Sequence, residues 1–212
     1  MTKFDRFLII NHNIMFHRVL QDIQKIRLRR VTEIMNIWHD ISPKRITKDR
    51  FYAVIEISKG GKNKYELDKE TGMLKLDRVL FTSTHYPANY GFIPRTFADD
   101  GDPLDVLVLC SETIQPMTLV ECKPIGVLNM VDNDSCDEKI IAVPVNDPNY
   151  NCYSDISELP KHYFEEIQHF FQVYKTLEAD KVTSVTETDG VDKAKEIIEK
   201  AITSYIRDFQ MA

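Results

Sequence analysis

The chain has 212 residues, 43% of them hydrophobic and 10% aromatic, enough for one domain with a sizeable core. Its net charge of −6 argues against general affinity for nucleic acid. No apolar run approaches the roughly 20 residues that a membrane span needs, and Phe7–Ile10 is too short for a secretory core.

The charge is unevenly spread. Residues 1–34 carry seven Lys/Arg against three Asp/Glu, a balance of +4 that leaves −10 for the remainder. Within this basic stretch Phe16, Val19, Leu20, Ile23, Ile26, Val31, Ile34, Met35 and Trp38 recur at helical spacing, which predicts an amphipathic helix over 14–38. A docking helix or extension is the expectation; a membrane-surface or targeting role, or a true start at Met35, are the alternatives. Ser42-Pro43-Lys44-Arg45 reads as a joint, dividing the chain into an N-terminal helical extension, 1–45, and a main domain, 46–212.

From the joint onward short strands are predicted at 52–57, 63–67, 74–79, 104–109, 118–130 and 139–145, separated by Gly, Asn, Asp and Pro turns. This pattern indicates a closed or partly closed barrel. The period then changes. A helix is expected from Ser157, with Pro160 in its first turn, toward Glu178, and a second after Asp189-Gly190 carrying Ala194, Ile197, Ile198, Ala201, Tyr205 and Phe209. The four cysteines form no CxxC pair, which argues against zinc, and are expected as reduced thiols in a cytoplasmic protein.

The chemistry concentrates in Asp100-Gly101-Asp102-Pro103-Leu104-Asp105. Carboxylates this close repel one another unless a strong positive charge sits among them, and a hard divalent cation with oxygen ligands suits that role. In an extended segment Asp100 and Asp102 would share a face, with Pro103 bringing Asp105 back toward them. An EF-hand is excluded, because its sixth position must be Gly and its twelfth Glu, where this chain has Asp105 and Ser111. Asp132, Asn133, Asp134 and Asp137 form a second acidic group, for which a solvated hairpin turn is the plainer reading. Lys64 and Glu66 alternate along a strand as a surface ion-pair ladder would, and Tyr86, Tyr90 and Tyr174 would serve equally as packing. Each fragment is weak alone; acidic groups interleaved with Lys, Arg and Tyr together suggest that a phosphate compound is gripped and hydrolysed.

In their order, these blocks resemble the soluble family I inorganic pyrophosphatases. The resemblance runs from about Tyr52 to Lys175 and rests on Val54–Ile57, Lys64–Asp68, Leu76–Arg78, Tyr86–Gly91, Asp100–Asp105, Asp132, Asp137, Lys139 and His169–Lys175. It implies a mainly β fold, a five-stranded OB-like barrel with C-terminal helices, to which this chain adds an N-terminal helix. It further implies Mg²⁺-dependent hydrolysis of pyrophosphate to two orthophosphates by a metal-activated water, with several ions per site. Carried over by position, Asp100, Asp105, Asp132 and Asp137 would hold metal, and Asp102 would take the proton of the attacking water. Lys64, Arg78, Tyr90, Lys139, Tyr174 and Lys175 would grip phosphate, with Glu56, Glu66 and Tyr86 in support. A homo-oligomer is implied, with no nucleic acid and no membrane span. A barrel that binds a phosphorylated ligand without turning it over, and a hydrolase of other diphosphates, are the competing readings.

Overall fold

The computed structural model describes residues 36–132, 135–178 and 183–210. The helix expected over 14–38 therefore lies outside the described residues except for its last three positions.

Among the described residues there are nine strands and two α-helices: β1 (Phe51–Ile57), β2 (Asn63–Leu67), β3 (Leu74–Val79), β4 (Asn89–Phe92), β5 (Asp105–Val108), β6 (Leu119–Asp132), β7 (Ser135–Cys136), β8 (Lys139–Pro144), α1 (His162–Val173), β9 (Thr183–Gly190) and α2 (Val191–Phe209). Strands β1, β4, β5, β8 and β6 pair in that order, and β6 returns to β1, closing a five-stranded ring. All ring pairings are antiparallel except β5–β8. Closure removes the exposed edges that an open sheet would leave. β9 extends the sheet along β6, while β2 and β3 form a separate hairpin.

Local chemistry explains how the ring closes. β6 shifts register between Pro124 and Gly126, where a residue without an N–H breaks the ladder and lets one long strand serve β1, β8 and β9. β1 and β4 approach so closely at Gly91 that a Cβ there would stand 1.8 Å from the Val54 carbonyl oxygen. Asn89 opens β4 fully buried, and its amide is satisfied by the N–H groups of Lys59 and Ile114 and the carbonyl of Glu112.

The barrel is packed on two sides. Ile167, Phe170 and Phe171 of α1 join Tyr86, Tyr90, Leu107 and Leu128 in one core cluster. Ala194, Ile197, Ile198 and Ala201 of α2 join Phe51, Val106, Val127 and Ile140 in another. The apolar stripe expected for α2 is thus the buried one. The first helix differs from expectation: Ile156–Glu158 is a separate 3₁₀ turn, and α1 begins only at His162, after Pro160. Asp155 accounts for the split, since its carboxylate accepts from Ser157 N–H at 2.9 Å and from Val191 N–H at 2.8 Å, tying that turn to the start of α2. β4, β7 and β9 are strands that the sequence reading does not predict.

Residues 36–42 pack against the body. Trp38 is 4% exposed, its indole N–H donates to the Thr96 carbonyl at 2.9 Å, and its ring lies among His39, Phe97 and Phe209. Arg95 holds a left-handed φ of 57° beside this segment, donating from its backbone to the Trp38 carbonyl at 3.0 Å and from its guanidinium to the carbonyls of His39 and Ile41.

Candidate active site

One mouth of the barrel, the β2–β3 hairpin, the loop before β5 and the end of α1 enclose a cavity of about 700 Å³. Its walls carry Glu56, Lys64, Glu66, Arg78, Tyr90, Asp100, Asp102, Asp105, Asp137, Lys139, Tyr174 and Lys175. Residues as distant as 56 and 175 are thereby brought together. Tyr86 lies behind the wall, its ring tilted against Tyr90 at 5.3 Å and Phe170 at 4.8 Å between centroids. The backbone of Asp132 ends β6, but its side chain lies outside the described residues.

Each wall residue has a local cause. β1 shifts register between Ile55 and Ile57, and Glu56 is the residue in the shift. Its carboxylate is buried and accepts from the Leu67 N–H at 2.8 Å, joining the hairpin to the barrel. Asp100–Asp102 is a turn rather than the extended segment expected: Gly101 has a φ of 86°, and the Asp102 N–H closes onto the Asp100 carboxylate at 3.0 Å. Asp105 starts β5 in direct register with Lys139 at the start of β8. Tyr174 caps the C-terminus of α1, and Lys175 follows it into the wall.

The ion pairs have one pattern. Lys139 is 2% exposed and donates to Asp105 at 2.6 Å, Asp137 at 2.8 Å and the Tyr90 hydroxyl at 3.2 Å. Lys64 donates to Glu66 and lies 3.4 Å from Asp77. Lys69 pairs with Asp102, and Arg78 with Asp77 and Glu178. Cations expected at phosphate thus contact carboxylates, two of which are expected at metal. Among the described residues no three His, Cys, Asp or Glu side chains converge as they stand on one ion position.

The inorganic pyrophosphatase family model matches residues 53–206. The soluble inorganic pyrophosphatase 2 of Chlamydomonas reinhardtii is 46% identical over 168 residues, covering 79% of this chain and 87% of that protein. The inorganic pyrophosphatase of Aquifex pyrophilus is 46% identical over 170 residues, 79% of this chain and 96% of its own. The solved inorganic pyrophosphatase of Helicobacter pylori superposes with a TM-score of 0.74 at 44% identity, covering 82% of this chain and 99% of its own. The chain belongs to the inorganic pyrophosphatase family.

The family is metal-dependent, and the electrostatics of this pyrophosphatase site suit a cation. Burial, with repulsion from Asp105 next, pushes the Glu56 carboxyl up to about 8. Asp100 is raised by burial and by its neighbours Asp105, Asp102 and Asp137, against the lowering hydrogen bond from Asp102. Such a set of crowded oxygen donors, with Glu56 and Asp100 raised chiefly by burial and then by neighbouring carboxylates, fits a hard divalent ion. Burial opposes the charge of Lys139, but Asp105 and Asp137 outweigh it and hold the ammonium well above its ordinary range.

Three contributors escaped the sequence reading. Asp77 was seen only as part of a block, yet it contacts both Lys64 and Arg78. Lys69, which pairs with Asp102, falls outside every block that the sequence singles out. Glu178 lies 100 residues from Arg78 in sequence, and no local pattern announces their contact.

Proposed function

We propose that this cavity hydrolyses inorganic pyrophosphate to two orthophosphates with Mg²⁺ as the metal, and that Asp102 accepts the proton of the attacking water. The enzyme is an inorganic diphosphatase by family. The observation that carries the residue assignment is the alternation of cations and carboxylates around one cavity, Lys139 at its centre between Asp105 and Asp137.

Asp100, Asp105 and Asp137, with Asp132, would hold the ions. Bound there, Mg²⁺ supplies positive charge against the phosphate oxygens and makes water more acidic. The chain's own part is binding and orientation. Lys64, Arg78, Lys139 and Lys175 offer fixed cationic donors where charge builds on the departing phosphate, a preorganised stabilisation that a water-filled site would lack. Tyr90 and Tyr174 add hydroxyl donors without added charge. Asp102 is half-exposed on the turn closed by Gly101, reachable by solvent, which suits a proton acceptor that must hand its proton on. Glu66 and Glu56 support the hairpin side. A cytoplasmic location and a homo-oligomeric state complete the reading, the first motivated by the free thiols of Cys110, Cys122 and Cys152.

The test is orthophosphate release from pyrophosphate with Mg²⁺ and with EDTA, for the unmodified chain and Asp102→Asn. Release that needs Mg²⁺ and falls sharply in Asp102→Asn is expected. Release undiminished in Asp102→Asn would remove the proton-acceptor role, and no release at all would leave a phosphate-binding barrel.

A further inference from the structure

The β2–β3 hairpin carries Lys64 and Arg78 into the site, yet its strands pair only with each other among the described residues. The ladder that makes the barrel rigid does not hold these two cations. Side-chain ties must do so, and the tie at Arg78 is specific. Its Nε donates to Glu178 Oε1 at 2.7 Å, with the two side chains only 14% and 6% exposed. Its Nη1 donates to Asp77, while Nη2 is buried without a hydrogen-bond partner. Glu178 is itself anchored: its N–H donates to the Lys175 carbonyl at 2.9 Å, within the turn that ends α1 and presents Tyr174 and Lys175 to the cavity.

A carboxylate this far out of water is costly to keep unless its partner and geometry compensate. A guanidinium held at Nε has its fork orientation set before an anion arrives, so less rotamer freedom is lost on binding. We propose that Glu178 is a positioning residue for pyrophosphate: by clamping the Nε edge of Arg78 it directs the Nη edge to phosphate oxygens and locks the hairpin to the turn bearing Tyr174 and Lys175. This rests on the reading of Arg78 as a phosphate-binding residue.

The experiment measures kcat and KM for orthophosphate release from pyrophosphate and the thermal midpoint for Glu178→Gln, Glu178→Ala, Arg78→Ala and the double variant Glu178→Ala/Arg78→Ala, each in saturating Mg²⁺. Glu178→Ala is expected to raise KM on the order of tenfold, with Glu178→Gln, which can still accept from Nε, restoring part of it. In the Arg78→Ala background the same substitution is expected to add nothing. A lowered midpoint with unchanged KM and kcat would make Glu178 structural and overturn the proposal, as would a KM effect that persists undiminished without Arg78. Full activity and unchanged KM in Arg78→Ala itself would instead overturn the reading of Arg78, and the clamp with it. Glu178→Gln keeps the side-chain shape, so its kinetics remain decisive should Glu178→Ala fail to fold.

Discussion

The parallel pairing of β5 and β8 sets Asp105 and Lys139 at the same register position, where their side chains meet at 2.6 Å. Asp137, two residues before Lys139, closes on the same ammonium at 2.8 Å. One buried cation thus bridges two carboxylates at the floor of the cavity and offsets one of their two charges, and the same three groups are the ones that a metal and a phosphate would each claim. With those roles, substrate, metal and fold stability would be coupled through this contact.

Lys139→Met removes the ammonium while keeping most of the apolar stem. It leaves Asp105 and Asp137 facing each other in a poorly solvated place, so the metal-free protein should lose roughly 3–5 kcal/mol of stability. Catalysis in saturating Mg²⁺ should fall by roughly 10²–10³, the loss typical of one preorganised donor. Urea denaturation in EDTA and steady-state phosphate release measure the two effects separately, and equal stability with and without the lysine would remove Lys139 as the neutralising group.

Glu56 makes the metal-free fold sensitive to pH. Its carboxyl is pushed up to about 8 from an ordinary 4.5, chiefly by burial and then by Asp105. Between those values the folded protein keeps a proton that the unfolded chain has released. This contribution is full below the unfolded pKa and is lost as pH rises through the folded one, a fall of at most roughly a few kcal/mol. Denaturation in EDTA from pH 5 to 9 should show that decline for the unmodified chain. Glu56→Gln, neutral throughout and still able to accept from Leu67 N–H, should flatten it.

Trp38 is the chain's one tryptophan and sits at 4% exposure with its N–H on Thr96. Trp38→Ala should cost roughly 3–5 kcal/mol, the usual range for truncating a buried aromatic. Trp38→Phe keeps most of the ring contact with Phe209 and loses the hydrogen bond, a cost of roughly 1–2 kcal/mol. Chemical denaturation followed by circular dichroism, which needs no tryptophan signal, checks both. A small loss in Trp38→Ala would mean that residues 36–42 are dispensable to the barrel.

Gly91→Ala is expected to be far more damaging than its one added methyl suggests. The Cβ would fall 1.8 Å from the Val54 oxygen, and the clash is with backbone that cannot rotate away. β1 and β4 would have to separate beside Tyr90, so soluble yield should collapse, or stability fall beyond the ~4 kcal/mol that marks exceptional substitutions. Normal yield and stability would show that the two strands can part at no cost.

Patterns within a few residues of one another were legible from the start. Strand and turn alternation announced the barrel, the apolar stripe from Ala194 to Tyr205 announced α2, and the spacing of Asp100, Asp102 and Asp105 announced the acidic loop, because these signals are local and periodic. β4 was missed because Asn89–Phe92 is only four residues long, and β9 because Thr183–Gly190 is polar and has no alternating apolar face. The turn at Gly101 replaced the expected extended run because a positive φ brings the Asp102 N–H back to the Asp100 carboxylate.

What the amino-acid order determined alone was the set of chemical groups: which carboxylates, cations and tyrosines exist, in what spacing, on which kind of element. What only the tertiary structure decided was which of them face one another. The pairing of Lys139 with Asp105 depends on two strands becoming neighbours across an intervening long one, and that of Arg78 with Glu178 on a hairpin meeting a helix end 100 residues away. Such contacts carry no local signature, because their energy comes from desolvation and charge in a shared cavity that exists only once the chain has closed.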